Sequence, residues 1–232
     1  MCTLSFLPQT GGDFNLVSNR DESPMRETLL PAIHKIDEVD CLFPKDALAG
    51  GSWIGVSDKK RMVCLLNGGF QRHKMGTFGR SRGLLVLDLL TSDNASGFLE
   101  GLSLDGVEPF TVVTLDWEEE LALFECVWDG ANKHMQDLEI APRIWSSRQL
   151  YTPEVAANRE DWFQEFLEKG QTDLNSQLYF HKTAGNGDAE NDLVMNRGFV
   201  RTKSMTSIEK KNGRVQFRYE EIPDGAITHH YF

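Results

Sequence analysis

Four residues in the first third of the sequence could together form a cysteine-based catalytic site. Cys2 is the second residue, Arg20 and Asp21 are adjacent in the segment SNRDE, and Asn67 ends the apolar run RMVCLLN. A thiolate is a strong nucleophile, and a neighbouring guanidinium stabilises it. A carboxylate can hold an ammonium group or orient a guanidinium, and a side-chain amide can donate a hydrogen bond to an oxyanion. This combination predicts nucleophilic attack on a carbonyl group.

The base for such an attack could come from Cys2 itself. Cysteine is small, as removal of the initiator methionine requires, and the exposed α-amine of Cys2 would then have a pKa of about 7.7–8.0. That amine could accept the thiol proton, so one residue would supply both nucleophile and base. If Met1 is retained, the nitrogen is part of an amide and the base is missing. A structural interpretation stays open as well, in which Cys2 is a small buried residue and Arg20 and Asp21 form an ion pair that closes a hairpin.

Two short β-like segments at the start of the chain must position these residues. CTLSFL and FNLVS flank the turn-rich segment PQTGGD, and this pattern predicts an antiparallel hairpin. If Leu7 pairs with Phe14 or with Asn15 across that turn, the same register places Cys2 opposite Asn19 or Arg20. The hairpin therefore predicts that the thiol lies beside the NRD segment.

The rest of the chain predicts further hairpins and two main helices. Strand pairs are expected for GGSWIGVS with KRMVCLLN, for PFTVVTLDW with ELALFECVW, and for the two halves of FVRTKSMTSIEKKNGRVQFRYEE, which turn at Asn212-Gly213. SRGLLVLDLL predicts a buried helix with Ser81 as N-cap, and NREDWFQEFLEK a helix with Asn158 as N-cap. Many antiparallel strands with two main helices predict one α+β domain over residues 1–232.

Other polar residues are expected to have no catalytic role. Residues 181–198 are expected to form a long loop in which His181 is solvated, with the alternative that His181 lines a pocket. The adjacent His229 and His230 are expected to form a frayed tail rather than a metal site. Cys41 is expected in a loop, as a structural thiol.

Composition limits the class of protein. The chain has 232 residues with a formal net charge of −11, which argues against general nucleic-acid binding and against docking on anionic membranes. No apolar run is long enough to span a bilayer, and the N-terminus lacks the pattern of a signal peptide. The four cysteines have no CxxC spacing, so we expect thiols in a reducing, cytoplasmic compartment. The sequence predicts no cofactor and no metal site, and it does not determine an oligomeric state.

Five segments together resemble a known family. MCTL, NRDE, AGGSWIGV, LLN and SRG occur here in the order seen in the NRDE family, which is also called the transport and Golgi organisation protein 2 family. The resemblance implies an α+β fold like that of the N-terminal-nucleophile hydrolases, a four-layer αββα sandwich with antiparallel sheets. The family is similar to the cysteine acylases that cleave penicillin V and conjugated bile acids, in which a mature N-terminal cysteine attacks an amide carbonyl. By motif, this implies catalytic roles for Cys2, Arg20, Asp21 and Asn67.

A second group of residues is predicted to bind the substrate. Asn19 adjoins the catalytic pair, and Gly68 would let a substrate approach the backbone closely. Trp53, in GGSWIGV, could be either a core residue or a pocket wall. The sequence departs from relatives at two places: Ser147 in WSS stands where an LSN-like motif has asparagine, and Lys203 in TKSMT stands where relatives have arginine.

Two functions follow from these observations. The first is a hydrolase acting on an amide or thioester bond of a small acyl compound. The second is a non-catalytic binding or trafficking protein for haem or for acyl-CoA or lipid, on the same scaffold. The resemblance suggests the second because eukaryotic relatives are linked to haem handling, to lipid or acyl-CoA metabolism and to secretory-pathway organisation, and the changes at Ser147 and Lys203 favour it. A purely structural or interaction role is a third possibility, which nothing in the sequence favours.

Overall fold

The computed structural model describes residues 3–74, 76, 79–223 and 225–232. Within these residues the strands are β1 (Thr3–Pro8), β2 (Phe14–Glu22), β3 (Thr28–Ile36), β4 (Val39–Asp46), β5 (Ile54–Ser57), β6 (Arg61–Asn67), β7 (Phe110–Asp116), β8 (Ala122–Trp128), β9 (Lys133–Leu138), β10 (Arg143–Ser146), β11 (Arg201–Lys211), β12 (Arg214–Glu221) and β13 (Ile227–Tyr231). The α-helices are α1 (Arg82–Thr91), α2 (Ala95–Gly101), α3 (Pro153–Glu168) and α4 (Leu174–Thr183). Antiparallel sheets combined with separate helices confirm the predicted α+β class.

The chain forms two compact units, and each is described by itself. The first contains the described residues up to Met25 together with Ala141–Phe232, and the second contains Arg26–Ile140. Each unit holds one sheet and two of the helices. The single domain expected for residues 1–232 stays a prediction.

The sheet of the first unit has the strand order β10-β1-β2-β11-β12-β13, and each neighbouring pair is antiparallel. The predicted N-terminal hairpin is present: Leu7 lies opposite Asn15, one of the two predicted partners, and Thr3 lies opposite Asn19. On its other edge β1 pairs with β10, where Thr3 lies opposite Ser146. The start of β1 is therefore enclosed between two strands.

Helices α3 and α4 cover one face of this sheet. The helix α3 begins after Thr152, whose hydroxyl oxygen accepts a hydrogen bond from the amide of Val155, and proline occupies the first turn. The apolar side chains that pack between these helices and the sheet are Leu7, Phe163, Phe166, Phe180 and Leu193. Because side chains alternate along a strand, the odd-numbered residues of β1 and β2 face the helices.

The sheet of the second unit is a meander in which strands β3 to β9 pair in chain order. The helix α1 forms where the sequence predicts it, after Ser81, although the Ser81 side chain makes no capping hydrogen bond. Apolar residues of both helices and of the sheet form one core, which includes Val63, Leu85, Leu89, Leu99, Phe110 and Trp128.

Two glycines explain the AGGSWIGV and SRG segments in structural terms. Gly51 lies so close to the start of α1 that a Cβ atom added to it would be 2.3 Å from the carbonyl carbon of Gly83. A Cβ atom added to Gly83 would in turn be 3.0 Å from the carbonyl oxygen of Ser52, and the Ser52 amide donates to the Gly83 carbonyl at 3.0 Å. The two segments therefore meet through bare backbone, which only glycine permits.

Four local predictions are wrong. Asn158 lies inside α3 rather than at its start, because the Thr152 cap and the following proline begin the helix earlier. The expected loop at 181–198 begins after α4, which continues to Thr183 and is capped by Asp173. Cys41 lies in β4 rather than in a loop. The expected tail at 229–230 belongs to β13, which pairs with β12.

None of the helices among the described residues is long and apolar enough to cross a membrane.

Candidate active site

Buried polar residues of the NRD segment lie at one end of the first unit's sheet. Asn19, Arg20 and Asp21 lie in the last half of β2, and they are between 0% and 3% exposed. Asn19 is opposite Thr3, which is the residue that follows Cys2 in the chain. Cys2 itself lies outside the described residues, so its predicted role as nucleophile stays a prediction.

Two residues predicted to bind substrate lie at the same end of this sheet. Ser147 is 1% exposed and directly follows Ser146, the partner of Thr3 in β10. Lys203 lies at an irregularity of β11, where the pairing with β2 shifts between Thr202 and Ser204. An extra residue of this kind bends a strand and redirects its side chain, and such bulges are common beside active sites.

Lys203 belongs to a group of charged residues. Its Nζ donates to the Pro24 carbonyl at 3.3 Å. Burial lowers the pKa of Lys203, and so do the positive charges of Arg20 and Arg201, while the carboxylates of Glu22 and Glu221 oppose them. Lys203 therefore lies near charges of both signs at this end of the sheet.

The carboxylate of Asp21 is held by hydroxyl groups. The Thr202 hydroxyl donates to Oδ1 at 2.6 Å, and the Tyr151 hydroxyl donates to Oδ2. Thr202 is itself fixed, because its oxygen accepts from the amide of Met195 at 2.9 Å. Buried carboxylates require such donors, and here the donors come from two separate segments, so both carboxylate oxygens are fixed in place.

Arg20 and Asp21 leave opposite faces of β2, since neighbouring side chains of a strand alternate. Asp21 is on the face that carries Asn19 and that the helices cover, whereas Arg20 is on the other face with Ser18. A guanidinium and a carboxylate from this pair can therefore act on a neighbouring residue from two sides.

His181 is buried in contact with Asn19, and the sequence interpretation of it as a solvated loop residue is wrong. Its Nδ1 is 3.1 Å from Asn19 Oδ1, and its Nε2 is 2.7 Å from Ser5 Oγ. Burial, together with the charge of Arg159, lowers the pKa of His181 to about 3, so the ring is neutral. The Asn19 nitrogen donates to the carbonyls of His181 and Leu193 at 3.1 and 2.8 Å, which leaves Oδ1 as acceptor.

One tautomer of His181 satisfies this network. Since Asn19 Oδ1 can only accept, Nδ1 of His181 carries the hydrogen and Nε2 accepts from the Ser5 hydroxyl. The Ser5 oxygen in turn accepts from Gln177 Nε2 at 2.8 Å. Asn19 is thus bound into the contact between β2 and α4, and its predicted part in substrate binding stays a prediction.

The residues predicted in the second unit lie around the end of β6. Asn67 is its last residue, opposite Phe110 in β7. Gly68 follows with φ = 90°, a conformation that favours glycine, and its amide donates to the Pro109 carbonyl at 3.0 Å. Trp53 is 6% exposed, and its carbonyl accepts from the Leu65 amide at 2.8 Å, which continues the pairing of β5 with β6. Catalysis by Asn67 and substrate binding by Gly68 and Trp53 stay predictions.

The other three cysteines are structural. Cys41, Cys64 and Cys126 lie in strands and have no exposed surface. Burial raises the pKa of the Cys41 thiol to about 12 and that of Cys126 to about 11. A thiol is a poor nucleophile under these conditions. Among the residues that the structure describes, no group of three or more histidine, cysteine or acidic side chains could hold a metal ion.

Sequence reasoning missed three residues around Asp21. Tyr151 and Thr202 donate hydrogen bonds to its carboxylate, and Arg159 contacts the ring of Tyr151. Arg159 carries a signal that could have identified it, because it replaces an apolar residue on the buried face of an amphipathic helix. Tyr151 and Thr202 carry no such signal, since their contacts depend on the tertiary fold.

Comparisons with solved structures identify the fold. The chain is similar to a Caenorhabditis elegans ortholog of N-acylethanolamine-hydrolyzing acid amidase, with 13% identity, a TM-score of 0.62, and coverage of 89% of this chain and 92% of that one. It is also similar to two variants of conjugated bile acid hydrolase from Clostridium perfringens, each with 11% identity and coverage of 99% and 92%, at TM-scores of 0.60 and 0.61. Penicillin V acylase from Agrobacterium tumefaciens has 10% identity, a TM-score of 0.51, and coverage of 98% and 85%.

These likenesses confirm the predicted fold class, that of the N-terminal-nucleophile hydrolases. A search of curated proteins gives no match. The family model described as Transport and Golgi organisation 2 matches residues 1–186, which is most of the chain. The chain belongs to the Transport and Golgi organisation 2 family.

Proposed function

We propose that this protein is a hydrolase of the N-terminal-nucleophile type, in which Cys2 attacks an amide or thioester bond of a small acyl compound. The observation that carries the proposal is the set of buried polar residues at the start of β1. Cys2 is bonded to Thr3, whose strand partners are Asn19 on one side and Ser146 on the other. Arg20 follows Asn19 in the chain. The predicted nucleophile, Cys2, therefore directly precedes a residue whose two strand partners belong to the segments that carry Asn19, Arg20 and Ser146. The acylases with the same fold support a small acyl substrate.

The proposed reaction needs the α-amine of Cys2 to be free. The amine takes the thiol proton, and the sulfur forms a bond to the substrate carbonyl carbon. The resulting ammonium returns the proton to the leaving amine or thiol as the scissile bond breaks, which leaves an acyl thioester on Cys2. Water, deprotonated by the same amine, then attacks the thioester carbonyl carbon. The carbon–sulfur bond breaks, the carboxylic acid is released, and the ammonium returns its proton to the Cys2 sulfur.

Arg20 and Asp21 divide the charges of this reaction between two faces of β2. A carboxylate on the helix face can hold an α-amine as ammonium. A guanidinium on the opposite face can stabilise a thiolate. In this proposal Asp21 binds the amine and Arg20 binds the sulfur.

The remaining predicted residues complete the proposal. Asn67 donates a hydrogen bond to the oxyanion, a contribution of about 3–4 kcal/mol in comparable hydrolases. Ser147 and Lys203 bind the substrate, and the positive charge of Lys203 favours an acyl compound that carries an anionic group. Lysine does not provide the planar double donor of the arginine found in relatives, so this contact is less directional.

The test compares two cysteine variants on a panel of N-acyl amides and acyl thioesters. Cys2→Ala should abolish turnover and leave the unfolding temperature unchanged, because the substitution removes only the nucleophile. Cys126→Ala is the control, and it should lower the unfolding temperature but keep turnover, since this thiol lies in the core. Turnover that survives in Cys2→Ala would refute the proposal.

A second function has one observation in its favour. Ser147 and Lys203, the two departures from relatives, both lie at the sheet end that contains the NRD segment. A scaffold that binds haem, acyl-CoA or lipid without cleaving it could retain such changes. In that case a Soret band with haem, or a thermal shift with an acyl-CoA, should appear equally in wild type and in Cys2→Ala, without turnover.

A further inference from the structure

We propose that Tyr151 and Arg159 are positioning residues of this site: Arg159 fixes the ring of Tyr151, and the Tyr151 hydroxyl fixes the carboxylate of Asp21. The inference rests on the proposed function, because it assigns to Asp21 the task of holding the α-amine. Neither residue is expected to touch the substrate.

The Tyr151 side chain contacts Asp21 through its hydroxyl and two arginines through its ring. The hydroxyl donates to Asp21 Oδ2, and the residue is 1% exposed. The Arg159 guanidinium carbon is 3.6 Å from the centre of its ring, and that of Arg197 is 5.4 Å away. Two cations against one phenol ring polarise it and make the hydroxyl a stronger donor to a carboxylate.

Arg159 is a wholly buried cation whose hydrogen-bond acceptors among the described residues are all neutral. It has no exposed surface, and its nitrogens donate to the Thr3 hydroxyl and to the carbonyls of Asn191 and Asp192, the latter two at 3.0 and 2.9 Å. Within the described part of the chain, no carboxylate lies within ion-pairing distance of Arg159. Its Nε has no hydrogen-bond partner in that part of the chain either.

A buried guanidinium of this kind is a costly way to stabilise a fold. Removal of a cation from water is not compensated by neutral acceptors as fully as by a carboxylate. The contacts of Arg159 suggest a role in positioning other residues rather than in stabilising the fold. Arg159 links Thr3, at the start of β1, to Tyr151, the donor to Asp21, so it fixes the Asp21 carboxylate relative to the start of β1.

The experiment uses the full chain and three variants. Tyr151→Phe keeps the ring and its contact with Arg159 and removes only the donor to Asp21. Arg159→Met removes the cation and keeps the length of the side chain. The double variant tests whether Arg159 acts through Tyr151. Tyr179→Phe is the matched control, because it removes a phenol oxygen that is on the exposed surface of α4.

Two readouts are taken for each variant: kcat and KM for hydrolysis, and the rate at which iodoacetamide labels Cys2. Tyr151→Phe should lower kcat and the labelling rate by roughly tenfold or more, as expected for loss of a hydrogen bond to a charged group. KM should change little, whereas the urea midpoint of unfolding should fall, because the buried Asp21 carboxylate loses a donor. The double variant should be no slower than Tyr151→Phe alone, since an effect of Arg159 that passes through the Tyr151 hydroxyl is already lost in that variant.

The outcomes separate this inference from the proposed function. Equal labelling of Cys2 in wild type and Tyr151→Phe would overturn the inference, whether or not the protein hydrolyses a substrate. Slower labelling in Tyr151→Phe with no turnover in wild type would support the inference and count against hydrolysis. Multiplied effects in the double variant would show that Arg159 does not act through Tyr151 and would overturn that part of the proposal.

Discussion

Replacement of His181 by glutamine should remove part of the acid sensitivity of the fold. The ring is wholly buried, and burial lowers its pKa to about 3, with a contribution from the charge of Arg159. In the unfolded chain the same group has a pKa of about 6.5. The unfolded chain therefore binds a proton that the folded protein excludes. The stabilisation is complete above pH 6.5 and is lost as the pH falls from 6.5 towards 3.

The size of the effect follows from these values. Between pH 7 and pH 5, protonation of the unfolded chain at this one group should lower the free energy of unfolding by about 2 kcal/mol. The folded ring is still neutral at pH 5, so the estimate depends almost entirely on the unfolded value. Glutamine does not titrate, and it retains an oxygen that can accept from Ser5 although it loses the donor to Asn19. We therefore expect His181→Gln to be less stable at pH 7 by about 1–3 kcal/mol.

Urea unfolding at several pH values measures this effect. The drop in unfolding free energy from pH 7 to pH 5 should be about 2 kcal/mol smaller in His181→Gln than in wild type. His229→Gln, in which the same substitution is made at an exposed histidine, should keep the wild-type slope. An identical slope in His181→Gln and wild type would show that the ring is not held neutral by burial, and the network around Asn19 would have to be assigned differently.

Three further predictions concern the structural residues. The thiols of Cys41 and Cys126 should resist iodoacetamide in native protein and react only in urea, as peptide mapping would show, because burial raises the pKa of each to about 12 and about 11; labelling of either at the rate of a free thiol would contradict this. Lys133→Met should lower the unfolding temperature by several degrees, since its amine donates to three carbonyls at the end of α2 at 2.6, 2.6 and 3.0 Å, a loss of about 1–3 kcal/mol. Gly51→Ala should lower the unfolding temperature more than Lys133→Met does, because its Cβ atom would be 2.3 Å from the backbone of Gly83. An unchanged melting curve for Gly51→Ala would refute the close contact.

The sequence predicts local pairing well in this protein. The turn between two apolar segments limits the partner of Leu7 to Phe14 or Asn15, and the structure shows Asn15. The turn at Asn212-Gly213 is confirmed as well, since both residues adopt positive φ. Both features depend on residues that are close together in the sequence, and the residue types at each turn favour a hairpin.

The environment of Asp21 could not be predicted in this way. Tyr151 and Thr202 are 130 and 181 residues from Asp21 in the chain, and nothing in their own segments indicates a shared carboxylate. The helical position of His181 is hard to predict because the buried face of α4 carries the polar residues Gln177 and His181, so its apolar period is weak, although its cap, Asp173, is a common one. Contacts of this kind depend on how the sheet and helices assemble, and only the structure supplies that information.

The central claim is that Cys2, with a free amine, is the nucleophile. The most direct test labels native protein with less than one equivalent of iodoacetamide and then identifies the N-terminal peptide by mass spectrometry. The account predicts a peptide that begins at Cys2 and carries nearly all of the label. A peptide that begins at Met1, or label distributed over the other cysteines, would contradict it.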